Sequence, residues 1–271
     1  MTPDLPSDLP RGRVRPNRRF ATVRTVMALM LREMSTRYGR SPGGYLWAVL
    51  EPLGAILILG LAFSLIMRTP QLGNSFILFY ATAYLPFNLY QSLSLLVARS
   101  ITFSKPLLKY PAVTWVDAIL ARFLLNLLTG VLVTYLLLTG ILAVSDTRTV
   151  IELGPVVEAM ALAALLGLGL GVLNCLLIGM IHVWDLVWSM ATRPLFLASG
   201  IFFLYEDLPQ FAQDILWFNP LIHISALSRS GFYPMYSPQY VSVPYVLFFS
   251  LIPLVLGLLL LSRYHRDILN A

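Results

Sequence analysis

The chain has 271 residues, of which 58% are hydrophobic and only 12% charged, and its mean hydropathy is +0.76. Soluble chains run at about 45–50% apolar and about 25% charged, so too little polar surface is present to coat a water-exposed globule. Disordered, collagenous and disulfide-scaffold classes fall on the same numbers, and the lone Cys175 precludes an internal disulfide. The composition is that of an integral membrane protein.

Residues 1–17 are rich in Pro, Asp and Arg and hold no apolar run of the signal-peptide kind, so they read as a disordered, basic tail. Residues 18–43 form a separate interface element. Phe20, Val23, Met27, Met30 and Met34 recur at spacings of 3, 4, 3 and 4, while Arg18, Arg19, Arg24, Arg32 and Arg37 mostly take the other positions. That pattern predicts a basic amphipathic helix over 18–38, lying in the interface as a lipid anchor and open to docking a cytoplasmic partner.

Residues 44–271 read as one all-α, polytopic domain. A crossing helix needs about 20 mostly apolar residues, and six stretches qualify: 44–67, 75–97, 118–144, 156–181, 186–205 and 243–261. The runs are continuous rather than alternating, which excludes a β-barrel. In the fourth, Ala159, Ala163, Gly167, Gly171, Cys175 and Gly179 fall every four residues. Such a small-residue ridge allows close helix approach, either within the subunit or at a homodimer seam.

Two connections are more than linkers. Residues 99–116 carry Pro106 and Pro111 as breaks and Phe103, Leu107, Leu108 and Tyr110 as apolar groups, best explained if something soluble covers them. Residues 206–242 contain an apolar stretch, 208–218, too short to cross. Pro209 suits a first helical turn there, with Asp207 as its cap, and Asn219 followed by Pro220 reads as an N-cap and first position of a second helix over 221–230. Two half-length helices predict a re-entrant outer hairpin, tolerable only if packed in protein or lining a water-filled cavity, and a candidate outer gate.

Charge placement sets the orientation. With a cytoplasmic N-terminus, fourteen Lys and Arg lie inside against three outside, Arg68, Arg148 and Arg229. Both termini are therefore expected in the cytoplasm. The pI near 9.6 is topological, and it faces anionic lipid rather than nucleic acid.

Inside the spans, a charge costs about 2.5–3.5 kcal/mol on insertion scales and normally faces protein or water. Glu51 precedes Pro52 and Arg193 precedes Pro194, each at an expected kink. Glu51 either pairs with an internal donor or Arg and fixes a bend, or lines a path; Arg193 suits an anionic substrate. Arg122 is expected to snorkel to the interface and Glu158 to reach headgroups. Tyr45, Trp47, Trp184 and Trp188 at one boundary, and Phe202, Phe203 and Tyr205 at the other, form an aromatic belt, of which a minority is free to stack on sugar rings.

No catalytic constellation is present. His182, His223 and His265 lie far apart without Cys or carboxylate at ligand spacing, neither Lys follows Gly, and Glu206 with Asp207 sits at a helix start. The chain is therefore expected to carry no catalytic, metal or cofactor residue. The lack of a chain of buried acids or His argues against ion coupling, so uphill work is expected to draw on a second subunit.

The basic amphipathic start, the run GYLWAVLEP at 44–52, six spans and NPLIHI at 219–224 resemble the ABC-2 type exporter permeases, most closely the capsular polysaccharide (KpsM-type) inner-membrane family. The likeness covers about residues 18–265, and LWAVLEP is its most specific piece. It implies two copies paired in the inner membrane, two separate ATP-binding cassette subunits holding ATP and Mg, and outward movement of a lipid-linked acidic polysaccharide. A periplasmic co-polymerase and an outer-membrane channel would complete the route. It implies ATPase contact at Arg32, Arg37 and Tyr38 and along 100–111, the coupling helix, with Arg99, Phe103, Lys105, Leu108, Lys109 and Tyr110. The path would be lined by Trp47, Glu51, Arg193, Phe202 and Phe203. The outer gate would comprise Trp217, Asn219, Pro220 and His223. Alternatives are an ABC-2 permease for O-antigen, teichoic acid or small drugs, an intramembrane enzyme acting on lipid-linked sugar, or a scaffold for envelope polysaccharide assembly.

Overall fold

The computed structural model describes residues 20–38, 43–110, 113–145, 151–181 and 183–270. The tail, Arg18, Arg19, Arg40, Pro111, Arg148 and His182 lie outside them, as do the side chains of Arg37 and Tyr38. The described residues form helices and connections without a strand: α1 (Ala21–Tyr38), α2 (Leu46–Ile66), α3 (Phe76–Ala98), α4 (Ser100–Leu108), α5 (Trp115–Val144), α6 (Leu153–Met180), α7 (Trp184–Leu197), a 3-10 turn (Tyr205–Asp207), α8 (Gln210–Leu216), α9 (Pro220–Phe232) and α10 (Val243–Asn270).

Local chemistry fixes several boundaries. Ser75 caps α3 by accepting from the Leu78 N–H at 3.3 Å. Thr114 and Asp117 form a capping box on α5: Thr114 Oγ1 accepts from the Asp117 N–H at 3.2 Å and Asp117 Oδ2 from the Thr114 N–H at 2.9 Å. The helix thus begins three residues before the apolar run. Asn219 caps α9 with Pro220 in its first turn, as the sequence predicts.

α2, α5, α6 and α10 are long and apolar enough to cross a membrane. α3 has the length, at 23 residues, but Tyr80, Tyr84, Asn88, Tyr90 and Gln91 interrupt its apolarity. It tolerates them because most of it is buried among the other helices and meets little lipid. Of the fifth expected span, 186–205, only the first part is helical: α7 stops at Leu197 after 14 residues, about 21 Å at 1.5 Å per residue. The chain then runs through turns to the 3-10 helix, with Gly200 at φ +74° in the left-handed region that suits glycine.

α6 forms the axis of the bundle, packed between α3 and α10. The small-residue ridge makes this possible within one chain. A Cβ on Gly167 would stand 2.9 Å from the Tyr90 carbonyl oxygen, and one on Gly171 2.8 Å from Val97 Cβ. Ala159, Ala163 and Cys175 on the same ridge are buried. The ridge is consumed by intrachain packing, the first of the two roles expected for it, and leaves no open surface for a seam.

α1 is amphipathic on two faces. The stripe read from the sequence is the outward one: Phe20, Val23, Met27 and Met34 are all exposed, with Leu31 beside them. A second stripe, Val26, Leu29 and partly Met30, packs against Leu120 and Ala121 of α5. Pro209 stands at the N-cap of α8, which receives no side-chain cap, so the expected roles of Asp207 and Pro209 are not realised.

Candidate functional site

Three polar regions stand out: the α4 end of the bundle, the face of α3 between α2 and α7, and the α8–α9 hairpin at the opposite end.

At the α4 end, Arg122 does not snorkel. It is buried on α5, donates from Nε to Glu33 Oε1 of α1 at 3.1 Å and from Nη1 to the Leu96 carbonyl at 3.0 Å. Its guanidinium lies 4.1 Å from the ring centroid of Phe103 in α4, and that of Arg32 lies 5.7 Å from the same ring. One ion pair, one ring and one bond to the Leu96 carbonyl therefore tie α1, α4, α5 and α3 together. Leu108 and Leu107 turn into the protein's own apolar clusters rather than outward. A helix only nine residues long must spend one face on its own fold. Lys105 is half-buried, leaving Lys109 and Tyr110, both exposed, as the free groups of this segment. Arg99 leaves the α4 surface altogether. It donates two 3.0 Å bonds to the two carboxylate oxygens of Asp185 at the start of α7.

The face of α3 carrying Tyr80, Tyr84, Phe87 and Gln91, at helical spacing, looks into the space between α2 and α7. Phe63 of α2 approaches Tyr80 at 5.1 Å and Phe202 at 5.9 Å, and Phe202 meets Phe196 of α7 at 5.2 Å. Phe196 in turn lies 5.3 Å from Phe87 and 6.4 Å from Tyr84. The rings form a continuous ladder along the helix. Below it, towards α4, a cavity of about 500 Å³ is bounded by Gln91, Ser94, Arg99, Asp185, Trp188 and Arg193 among others. A second cavity of about 400 Å³ lies on the neighbouring face of α3, between α2 and α5, with Trp47, Glu51, Asn88, Ser92 and Asn126. The path residues expected from sequence thus divide. Trp47 and Glu51 share one cavity, Arg193 belongs to the other, and Phe202 joins the ladder. Phe203 is half-buried and supplies a carbonyl to the hairpin. Glu51 is exposed and forms no ion pair among the described residues, so the internal salt bridge weighed for it is absent there.

The hairpin is organised by side chains of α9 that satisfy the broken backbone after α7. Asn219 Nδ2 donates to the Ala198 carbonyl at 2.7 Å and Ser225 Oγ to that of Ser199 at 2.9 Å. Arg229 donates to the carbonyls of Gly200 at 2.6 Å, Ile201 at 2.9 Å and Phe203 at 3.2 Å, with its guanidinium 4.1 Å from the Phe79 ring. Charge counting puts Arg229 among the three outside charges; its side chain is fully buried within the hairpin helix. A helix break inside an apolar bundle leaves carbonyls that need donors, and a guanidinium supplies several from one residue.

Trp217 and His223 meet ring to ring at 5.4 Å, with Tyr245 at 5.0 Å from Trp217. His223 Nε2 donates to the Trp217 carbonyl at 2.8 Å and Nδ1 accepts from the Ser242 N–H at 3.3 Å. Those partners require the neutral Nε2–H tautomer, and burial lowers the imidazole pKa in the same sense. Tyr205 stacks on Tyr240 at 4.0 Å, and Tyr236 donates to Glu206 at 3.2 Å. Burial pushes the Tyr236 phenol up to about 12.

Sequence reasoning missed Glu33, Arg229 and Tyr240. For Glu33 a signal exists: it is the only acid in α1 and lies one turn beyond Leu29 and Met30 on the inward stripe. Arg229 offers none, because its carbonyl partners come from a helix break no periodicity marks.

The described residues thus form an all-helical bundle with four helices long and apolar enough to cross a membrane, with a ladder of aromatic rings and two partly polar cavities along α3. The ABC-2 type transporter family model matches residues 24–233. The chain is 33% identical over 248 residues to the polysialic acid transport protein KpsM of Escherichia coli, covering 91% of this chain and 96% of that one. It is 28% identical over 247 residues to the capsule polysaccharide export inner-membrane protein BexB of Haemophilus influenzae, and 26% over 245 residues to CtrC, which carries the same description in Neisseria meningitidis serogroup A. Each of these covers 90% of this chain and 92% of the relative. The chain belongs to the ABC-2 type transporter family. It is a transport component, and the ATPase of such a transporter is a separate subunit.

Proposed function

We propose that this chain is the inner-membrane permease of a capsular polysaccharide exporter, moving a lipid-linked acidic glycan outward while partner subunits hydrolyse ATP with Mg. The observation that carries the reading is the near end-to-end likeness to capsule export inner-membrane proteins, 91% of this chain against 96% of the first. In this reading α2, α3, α5, α6, α7 and α10 are six crossings, α3 shielded by its neighbours and α7 completed by the turns after Leu197. Both termini face the cytoplasm, α1 lies in the interface with its exposed stripe in lipid, and α8–α9 is a hairpin on the periplasmic side. The fourteen-to-three charge asymmetry supports that orientation.

Two copies face each other across the α2–α7 opening. α7 has no buried residue within one chain, and α2 exposes Ile58, Leu61 and Leu65, so a second copy closes the half-lined conduit. Sugar rings slide along the half-buried Tyr84, Phe196 and Phe202 of the ladder, with Arg193 drawing acidic groups and Trp217, Asn219, Pro220 and His223 framing the outer gate. The two ATP-binding cassette subunits dock on Arg32 and on Lys109 and Tyr110, driving α4 as the coupling helix. A periplasmic co-polymerase and an outer-membrane channel receive the polymer. Reconstitution tests this. Labelled acidic glycan on a lipid anchor should leave vesicles only when the permease, its co-purified ATPase and ATP are all present. Transport by the permease alone, or failure of any ATP-binding subunit to co-purify, would sink the reading.

A further inference from the structure

We propose that the cavity between α3 and α7 is a receiving site for an oxyanion carried by the amphiphilic glycan, and that Asp185 is a resident carboxylate which the incoming anion displaces from Arg99. The inference deepens the permease reading, from which it takes the glycan; the anion comes from the cavity itself.

Arg99 Nη2 reaches both carboxylate oxygens of Asp185 at 3.0 Å, a charge-assisted contact that an oxygen of a phosphate or carboxylate ligand can take over. The two side chains remain 48% and 41% exposed, and solvent screening makes such pairs weak enough to exchange. On release, Asp185 returns to water rather than to an apolar wall. Eight residues further along α7, about 12 Å deeper, Arg193 lines the same cavity and has no carboxylate partner among the described residues. The site therefore presents one occupied and one vacant guanidinium in series.

Two arginines in a cavity of about 500 Å³ that also carries Gln91, Ser189 and Thr192 and is walled by Trp188 fit a group with several acceptor oxygens. An anion first paired by Arg99 at the membrane surface and then by Arg193 moves inward without crossing apolar surface unpaired.

Trp188 supplies the readout. Full-length permease in detergent is titrated with dibrominated phosphatidylglycerol, which quenches indole on contact, and Trp188→Phe identifies the component from this cavity. Dibrominated phosphatidylcholine is the zwitterionic control, and a soluble oligomer of carboxylate sugars is the competitor. The anionic lipid should quench at several-fold lower concentration than the zwitterionic one. Asp185→Asn, which removes the resident competitor, should tighten it several-fold. Arg193→Gln should weaken it about tenfold, the scale of one charge-assisted bond, and Arg193→Lys should restore part of the loss. Competition by the soluble sugar acid would assign the site to carboxylates as well as phosphate, and phosphatidylglycerol quenching without it would assign phosphate alone; either supports the proposal. Equal quenching by both lipids, or indifference to Asp185→Asn and Arg193→Gln in correctly folded protein, overturns it. No nucleotide or partner enters this assay, so its failure leaves the permease reading standing, and a failed ATPase co-purification leaves this result untouched.

Discussion

The buried pair between Glu33 and Arg122 gives the sharpest quantitative expectation. Its side chains are 5% and 8% exposed, so water screens it little. Replacing Arg122 by Met leaves the Glu33 carboxylate buried against α5 without its partner, a loss of about 3–5 kcal/mol for a broken buried pair. The cation–π contact with Phe103 adds about 0.5–2 kcal/mol. At about 2–4 °C per kcal/mol for a domain of this size, thermal unfolding in detergent should fall by roughly 10 °C. Glu33→Leu combined with Arg122→Met removes both charges, and apolar replacement of a whole buried pair is often near neutral. The double variant should therefore recover most of the loss. A second readout is local: limited proteolysis of α1 should accelerate in either single variant and return towards wild type in the double. Additive losses, with a coupling energy under about 0.5 kcal/mol, would refute the claim that α1 is held by this pair.

Arg229→Lys keeps the charge but cannot span the carbonyls of Gly200, Ile201 and Phe203. Export should be lost while membrane insertion persists, and a variant with normal surface glycan would show that the hairpin does not need this clasp. The lowered pKa of His223 means the native state binds fewer protons than the unfolded chain below about pH 6.5. Its contribution is complete above that pH and is lost as pH falls through the lowered value, so Trp217 fluorescence should change on acidification. A His223→Gln variant retaining the same titration would exclude His223 as its source. Charge reversal at Lys105 and Lys109 should lower ATPase co-purification several-fold, with Lys109 dominating because Lys105 is half-buried; unchanged recovery would remove this surface from the contact.

Most helices were legible because lipid-facing apolar runs and capping residues such as Ser75, Asn219 and Pro220 act locally. What stayed hidden follows from burial on both sides. A core helix such as α3 carries Tyr, Asn and Gln without penalty, so hydropathy understates it. α1 carries apolar residues around more than half its circumference, so the spacing of Phe20, Val23 and Met27 masks the inward stripe Val26–Leu29–Glu33. The end of α7 at Leu197 escaped because Leu195, Phe196, Ile201 and Phe202 continue the apolar run straight through the break. Arg122 and Arg229 escaped because their partners lie far off in the chain, at Glu33 and Leu96 and at the break after α7.

The docking of α1 has a consequence for biogenesis. Its inward stripe and Glu33 need Ala121 and Arg122, and Glu33 and Arg122 are separated by 89 residues. At about 5–20 residues per second, the ribosome takes roughly 5–20 seconds to supply them. Through that interval the newborn α1 has no fold to join, and its outward row of Phe20, Val23, Met27 and Leu31 needs an apolar surface to rest on until α5 arrives.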